Sequence, residues 1–200
     1  MPEDTDKVRL FVSIHVPEVV REKLRDVQRQ FEKAMPQDSV RWTLFEQLHL
    51  TLEFMGSVPA AEIPSLEQAL TKVTARHRAF RLAAESIGAF SSMRNPRVIW
   101  AGLTGDIDRL KALQADVHAT VMQWEREPET RAYHPHLTLG RVRPIRPREL
   151  RNVSQALAAI TPKPFGEWQV DEFALMQSKL SPHGAQHSVL ATFPFQPLER

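Results

Sequence analysis

The chain has no cysteine among its 200 residues. Disulfides, thiol nucleophiles and cysteine-based zinc sites are thereby excluded, and only His, Asp or Glu could hold a metal. Long apolar runs are missing as well. Nothing approaches the roughly 20 uncharged apolar residues that a membrane span needs. The opening Met1-Pro2-Glu3-Asp4 is acidic and lacks the basic and apolar regions of a signal peptide. These absences lead to the expectation of a cytoplasmic protein. One-sided charge is also lacking, since the formal net charge is only +2. No overall basic field announces nucleic acid, although a local patch can still hold one phosphate. Gly140 to Arg151 is locally basic, with Arg141, Arg143, Arg146, Arg148 and Arg151 against Glu149, and reads equally as such a patch or as a solvated loop and helix start.

What is present is an apolar content of 42%, enough for a sizeable core. Arg9 to Val16 alternates with period two, with Leu10, Val12, Ile14 and Val16 on one face and Phe11 on the other. Pro17 and Glu18 open a helix to about Met35, carrying Val20, Leu24, Val27 and Phe31 inward. Short strands are expected at 40–42 and 48–55, the second closed by Gly56 and Pro59. A helix follows over about 61–76, then strands at 80–90 and 97–103, and a helix over about 108–124. The remainder reads as a strand at 136–142, a helix over about 147–159, and two final strands at 168–180 and 187–195. Four helices and eight strands in this order make an α+β pattern, and its recurrence indicates two pseudo-equivalent lobes. With no low-complexity linker between them, residues 1–200 are expected to pack as a single domain. No large apolar surface stripe is evident, so a monomer is expected.

His49-Leu50-Thr51-Leu52 and His136-Leu137-Thr138-Leu139 are identical, each at the same place in its half. The chance of such a recurrence in a chain of this length is roughly below one in a hundred. On a strand, successive side chains take opposite faces, so the leucines enter the core while His and Thr share the other face. If the halves meet about a pseudo-twofold, two imidazoles and two hydroxyls converge on one cleft. That set suits phosphodiester hydrolysis without metal or cofactor. One neutral imidazole takes a proton from water and the other, protonated, gives one to the departing oxygen. Thr51 and Thr138 would hydrogen-bond the non-bridging oxygens. A rival reading makes His134-Pro135-His136 a metal half-site completed by His49 or a carboxylate. It leaves the duplication and both threonines unexplained.

These residues resemble the 2H phosphoesterase superfamily, and more closely its bacterial and archaeal RNA 2′,3′-cyclic phosphodiesterases, also called 2′-5′ RNA ligases. The resemblance spans almost the whole chain. It includes Arg9 to Ile14, Val40-Arg41-Trp42, Gln47 to Gly56, Pro96 to Gly102, His134 to Arg141, Ser178 to Gly184 and Phe193-Pro194-Phe195. It implies a bilobal LigT-like fold with antiparallel sheets flanking a central groove and helices outside. It implies opening of a terminal RNA 2′,3′-cyclic phosphate to a 2′-phosphate, with O3′ as leaving group and 2′-5′ ligation as the reverse chemistry. His49 is then the acid and His136 the base, with the opposite assignment still open. Arg141 matches a groove arginine that contacts phosphate or stacks on the terminal base, and Phe11 an aromatic position suited to base stacking. Plain alternation puts Arg141 on the face opposite His136, so its role requires a bend or a strand end near Gly140. Two positions depart from the pattern. Glu53 stands where a basic residue is frequent and by alternation shares a face with His49, which it would steady unless it faces solvent. His187 stands where an aromatic is usual. His15, His77, His118 and His183 have no motif support and read as ordinary surface or partly buried residues. Two other functions remain in play. One is a non-catalytic binder of RNA ends or nucleotides; the other is a phosphodiesterase of small cyclic nucleotides or 2′-5′ oligonucleotides.

Overall fold

A computed structural model describes residues 6–124, 132–161, 164–181 and 184–196. His183 lies outside these residues. The chain runs β1 (Lys7–His15), α1 (Glu18–Ala34), β2 (Val40–Trp42), β3 (His49–Pro59), α2 (Ile63–Thr74), β4 (Phe80–Ser92) and β5 (Asn95–Gly105). It continues through α3 (Ile107–Val121), β6 (His136–Val142), α4 (Pro147–Ala159), β7 (Gly166–Val170), β8 (Glu172–Ser181) and β9 (Gly184–Pro194). Short 3-10 turns precede β3 and α2 and follow α3. The apolar spacing of α1 buries Val20, Leu24, Val27 and Phe31. The helix stops at Met35, whose extended backbone (φ −100°, ψ 159°) is what the following Pro36 favours. Pro147 opens α4, where the Glu149 carboxylate accepts the Arg146 backbone N–H at 2.9 Å.

The strands form one nine-stranded sheet in the order β7-β4-β5-β6-β3-β1-β8-β9, with β2 beside β6. The order is palindromic in role. β1 and β3 flank the centre on one side as β5 and β6 do on the other, with β8-β9 and β4-β7 outside them. In the strand order the two halves meet where β3 lies beside β6, at the pair Leu50–Leu137. Those are the same residue of the two tetrapeptides, so the pseudo-twofold passes between them.

The sequence-based reading joined residues 168–180 into one strand, giving eight. The structure breaks that segment at Asp171. β7 pairs with β4 in the second half, and β8 pairs with β1 in the first. The burial pattern slips phase there: Trp168 and Val170 are buried, then Phe173 and Leu175. A single strand could not keep all four on one face.

The helices cross over. α1, which links β1 to β3, lies against α4 and β7 of the second half. α3, which links β5 to β6, lies against α2 and β3 of the first. Each half's sheet is therefore covered partly by the other half's helix, and one continuous core runs through both. No helix among the described residues is long and apolar enough to cross a membrane.

Candidate active site

Leu50, Leu52, Leu137 and Leu139 are all buried, while His49, Thr51, His136 and Thr138 are partly exposed on the other face. Each tetrapeptide also carries a β-bulge. On β3, Ser13 stands opposite Thr51 and Val12 opposite Glu53, leaving Leu52 as the extra residue. On β6, Trp100 stands opposite Thr138 and Ile99 opposite Gly140, leaving Leu139 as the extra residue. An extra residue inverts the alternation that follows. Arg141, opposite Val98, therefore joins His136 and Thr138 on the groove face. On β3 the equivalent position is Phe54, opposite Phe11.

Polar side chains from the helices hold both bulges. The buried Gln28 of α1 donates its side-chain amide to the carbonyls of Leu139 (2.8 Å) and Thr43 (2.9 Å). The Leu139 carbonyl also accepts the Thr43 backbone N–H at 2.8 Å. At the other bulge, Glu53 turns to the helix side and is only 6% exposed. Its carboxylate accepts from Gln114 (3.1 Å) and from His118 Nδ1 (2.9 Å), both on α3. Glu53 thus neither steadies His49 nor faces solvent, because Leu52 shifts the strand's phase. His118 acquires a partner that no local motif announced. Gly140 is glycine because a Cβ there would lie 2.7 Å from Val40 Cγ1 and 2.9 Å from Trp42 Cε3.

The two imidazoles are held alike. His49 Nδ1 donates to the Gln47 carbonyl at 2.7 Å, and His136 Nδ1 donates to the His134 carbonyl at 2.7 Å. A carbonyl can only accept, so each neutral ring carries its proton on Nδ1 and leaves Nε2 as a free acceptor. The Gln47 side chain in turn donates to the Ala185 carbonyl of β9. Burial pushes the His49 pKa down to about 4; its bond to Gln47 opposes this, while His187 and His136 lower it further. Burial also lowers the His136 pKa, opposed by its bond to His134 and reinforced by His134 and the Arg141 guanidinium. Tyr133, just before the second motif, donates its hydroxyl to the Thr51 carbonyl of the first at 3.1 Å.

Phe11 is placed differently from the expected base-stacking surface. It is 2% exposed and packs beneath His49 (ring centroids 5.0 Å), Phe54 (5.8 Å) and His187 (4.9 Å). The aromatic that the groove face exposes above it is Phe54, at 61%. His187 also meets His49 edge-on at 5.3 Å. On the second half, Phe90 meets His136 at 5.0 Å, and His134 packs on Phe90 and Trp100 at 5.3 and 5.2 Å. Trp100 leans over Gly88, where a Cβ would fall 2.2 Å from the indole. Among the described residues there is no group of three or more His, Asp or Glu side chains placed to hold a metal ion. Phe54, Phe90, Trp100 and His187 were not assigned to the groove from sequence. The cross-strand partners that bring them there are visible only once the bulges fix the register.

The family model for LigT-like phosphoesterases matches the chain over residues 14–100 and again over 103–185, one tetrapeptide in each stretch. The chain belongs to this family. Among LigT-like relatives, an RNA 2′,3′-cyclic phosphodiesterase of Archaeoglobus fulgidus is 31% identical over 188 residues, covering 93% of this chain and 99% of that one. A Thermus thermophilus protein of the same name is 29% identical over 199 residues, covering 93% and 89%. A solved structure from Thermus thermophilus superposes with a TM-score of 0.77 at 28% identity, covering 96% and 100%. Escherichia coli LigT, solved with 3′-AMP, shares the fold at TM-score 0.75 and 24% identity, covering 95% and 99%. The LigT-like α+β architecture expected from sequence is thus the one observed, its antiparallel strands forming a curled sheet.

Proposed function

We propose that this protein opens the 2′,3′-cyclic phosphate at an RNA terminus to a 2′-phosphate, using His49 and His136 as a metal-independent acid–base pair. The observation that carries this is the duplicated imidazole geometry. Two Nδ1 atoms are tied to carbonyls two residues back, on strands that meet at the Leu50–Leu137 pair. The names of the relatives supply the substrate class.

In this scheme water attacks phosphorus and the P–O3′ bond breaks. His136 takes the water proton on Nε2, and protonated His49 gives its Nε2 proton to O3′. The Arg141 guanidinium beside His136 favours the neutral form that a base needs. His49 acquires its proton when the phosphate anion brings negative charge into a site where burial has removed water. Thr51 and Thr138 hydrogen-bond the non-bridging oxygens, and Arg141 balances their charge. With a ribose hydroxyl in place of water, the reverse reaction forms a 2′-5′ bond. The proposal takes residues 1–200 as one domain of two lobes, acting as a cytoplasmic monomer.

The test is to incubate the protein with EDTA and an RNA ending in 2′,3′-cyclic phosphate, then identify the product. A 2′-phosphate is expected, with loss of about 10³-fold in either His49→Ala or His136→Ala. A p-nitrophenyl phosphodiester, whose leaving group needs no proton, should rescue His49→Ala more than His136→Ala. Chelator-sensitive activity restored by added metal would overturn the mechanism, and rescue of the other variant would exchange the two roles.

A further inference from the structure

The groove face carries a second arginine that the chemistry above does not use. In the short strand β2, Arg41 stands directly opposite Arg141 of β6. Its neighbours fix the direction of its side chain. Val40 is buried in the core, and Trp42 stacks on Phe31 of α1 (ring centroids 6.2 Å, interplanar angle 7°). Residues 40 and 42 therefore face the helix layer, and Arg41 faces the groove with Arg141. Backbone bonds secure both ends of β2: Thr43 N–H to Leu139 O at 2.8 Å, and Arg143 N–H to Ser39 O at 2.9 Å.

Like charges directly opposite one another on a sheet oppose folding. Both arginines are exposed, and among the described residues neither is paired with a carboxylate. Such a pair is favourable when an anion lies between the two, because each guanidinium can offer a fork of N–H donors to phosphate oxygens. The register gives its distance from the chemistry. Arg141 stands opposite Val98, two residues along β5 from Trp100, the partner of Thr138, and four from Gly102, the partner of His136. At about 3.3 Å per residue, the backbone of the arginine pair lies about 7 Å beyond Thr138 and about 13 Å beyond His136, a span that the Arg141 side chain shortens enough to act on His136. A second anion at a fixed interval along the same face is what a polynucleotide presents.

We propose that Arg41, standing across from Arg141, grips the phosphodiester next to the terminal cyclic phosphate while Arg141 serves the reacting one, so that the preferred substrate is an oligonucleotide end and not a mononucleotide. This rests on the activity proposed above. It makes Arg41 a determinant of substrate length.

The test compares a dinucleotide ending in 2′,3′-cyclic phosphate with the corresponding nucleoside 2′,3′-cyclic phosphate. The wild-type kcat/KM should favour the dinucleotide by about tenfold or more, and Arg41→Ala should lower that ratio by about tenfold. Replacing the single internal phosphodiester with an uncharged methylphosphonate should produce the same loss, with no additional loss when combined with Arg41→Ala. For longer single strands, Arg41→Ala should make the slope of log(kcat/KM) against log salt shallower by about 0.7. Arg25→Ala, on the exposed side of α1, serves as the charge control and should leave both rates as they are. Equal wild-type rates on the two substrates would overturn the proposal. So would an Arg41→Ala variant that slows both in proportion, or additive losses from the variant and the methylphosphonate. If wild type opens neither substrate, the activity itself is wrong and the length preference falls with it.

Discussion

His49 and His136 share a tautomer-fixing bond but not an environment. His49 has its ring against Phe11 and His187, and burial takes its pKa to about 4. His136 stands beside Arg141 and also titrates below the usual range. The kcat/KM profile reports the acid and base of the free protein, so both limbs should be displaced downward. The base must be neutral, which sets the acid limb, and the acid must be protonated, which sets the alkaline limb. The kcat/KM maximum should therefore fall on the acid side of pH 6.5, with a higher value at pH 5.5 than at pH 7.5. A maximum at or above pH 7 would show that substrate meets imidazoles with ordinary acidity. The histidines themselves were legible in the sequence because a four-residue word repeats. His187, Phe90 and Trp100 were not, since a ring's neighbours across a sheet depend on register. Phe11 shows the converse: its place on the polar face of β1 was legible, but not the Phe54 and His187 rings that close over it.

At the level of elements, the bulged strand does most of the positioning. The fourth residue of each tetrapeptide is the extra one, and it turns the next side chains over. Alternation alone placed Arg141 on the wrong face and Glu53 on the groove. The need for a bend or strand end near Gly140 was legible, but its twin in β3 was not, because Glu53 has no glycine's signature. Gln28 holds one bulge from across the core. Gln28→Leu should cost about 1–3 kcal/mol in urea unfolding, because it removes a donor from the buried Leu139 carbonyl and the half-buried Thr43 carbonyl. It should also lower kcat by loosening the strand that carries His136 and Arg141. Wild-type stability in this variant would mean that the Thr43 N–H suffices to hold the bulge. The break between β7 and β8 was legible in principle as a phase slip at Asp171, but a single Asp with neither Gly nor Pro beside it marks a turn only weakly.

The whole molecule is interlocked by its exchanged helices. α1 covers strands of the second half and α3 covers strands of the first, so neither half retains its own roof if separated. A single cooperative transition in urea is expected. Trp100 and Trp168 lie in strands of the second half, Trp42 stacks on Phe31 of α1 and Trp124 bonds to Glu62 near β3, so fluorescence samples the packing of both halves while far-ultraviolet circular dichroism samples their secondary structure. The two curves should coincide. Separate midpoints would show lobes that unfold independently. The duplication was legible in the sequence, but the exchange was not, because no local pattern tells a crossover helix which sheet to cover.

The pairing of Leu50 with Leu137 has one more consequence. An arrangement built from two identical copies of either half would carry the same residue after both bulges, an aromatic at each end or a cation at each end. Such a channel would read the same forwards and backwards. Covalent joining lets the ends diverge, and here Phe54 occupies one and Arg141 the other. A nucleic acid strand has a direction, and a site with unlike ends can accept it one way round.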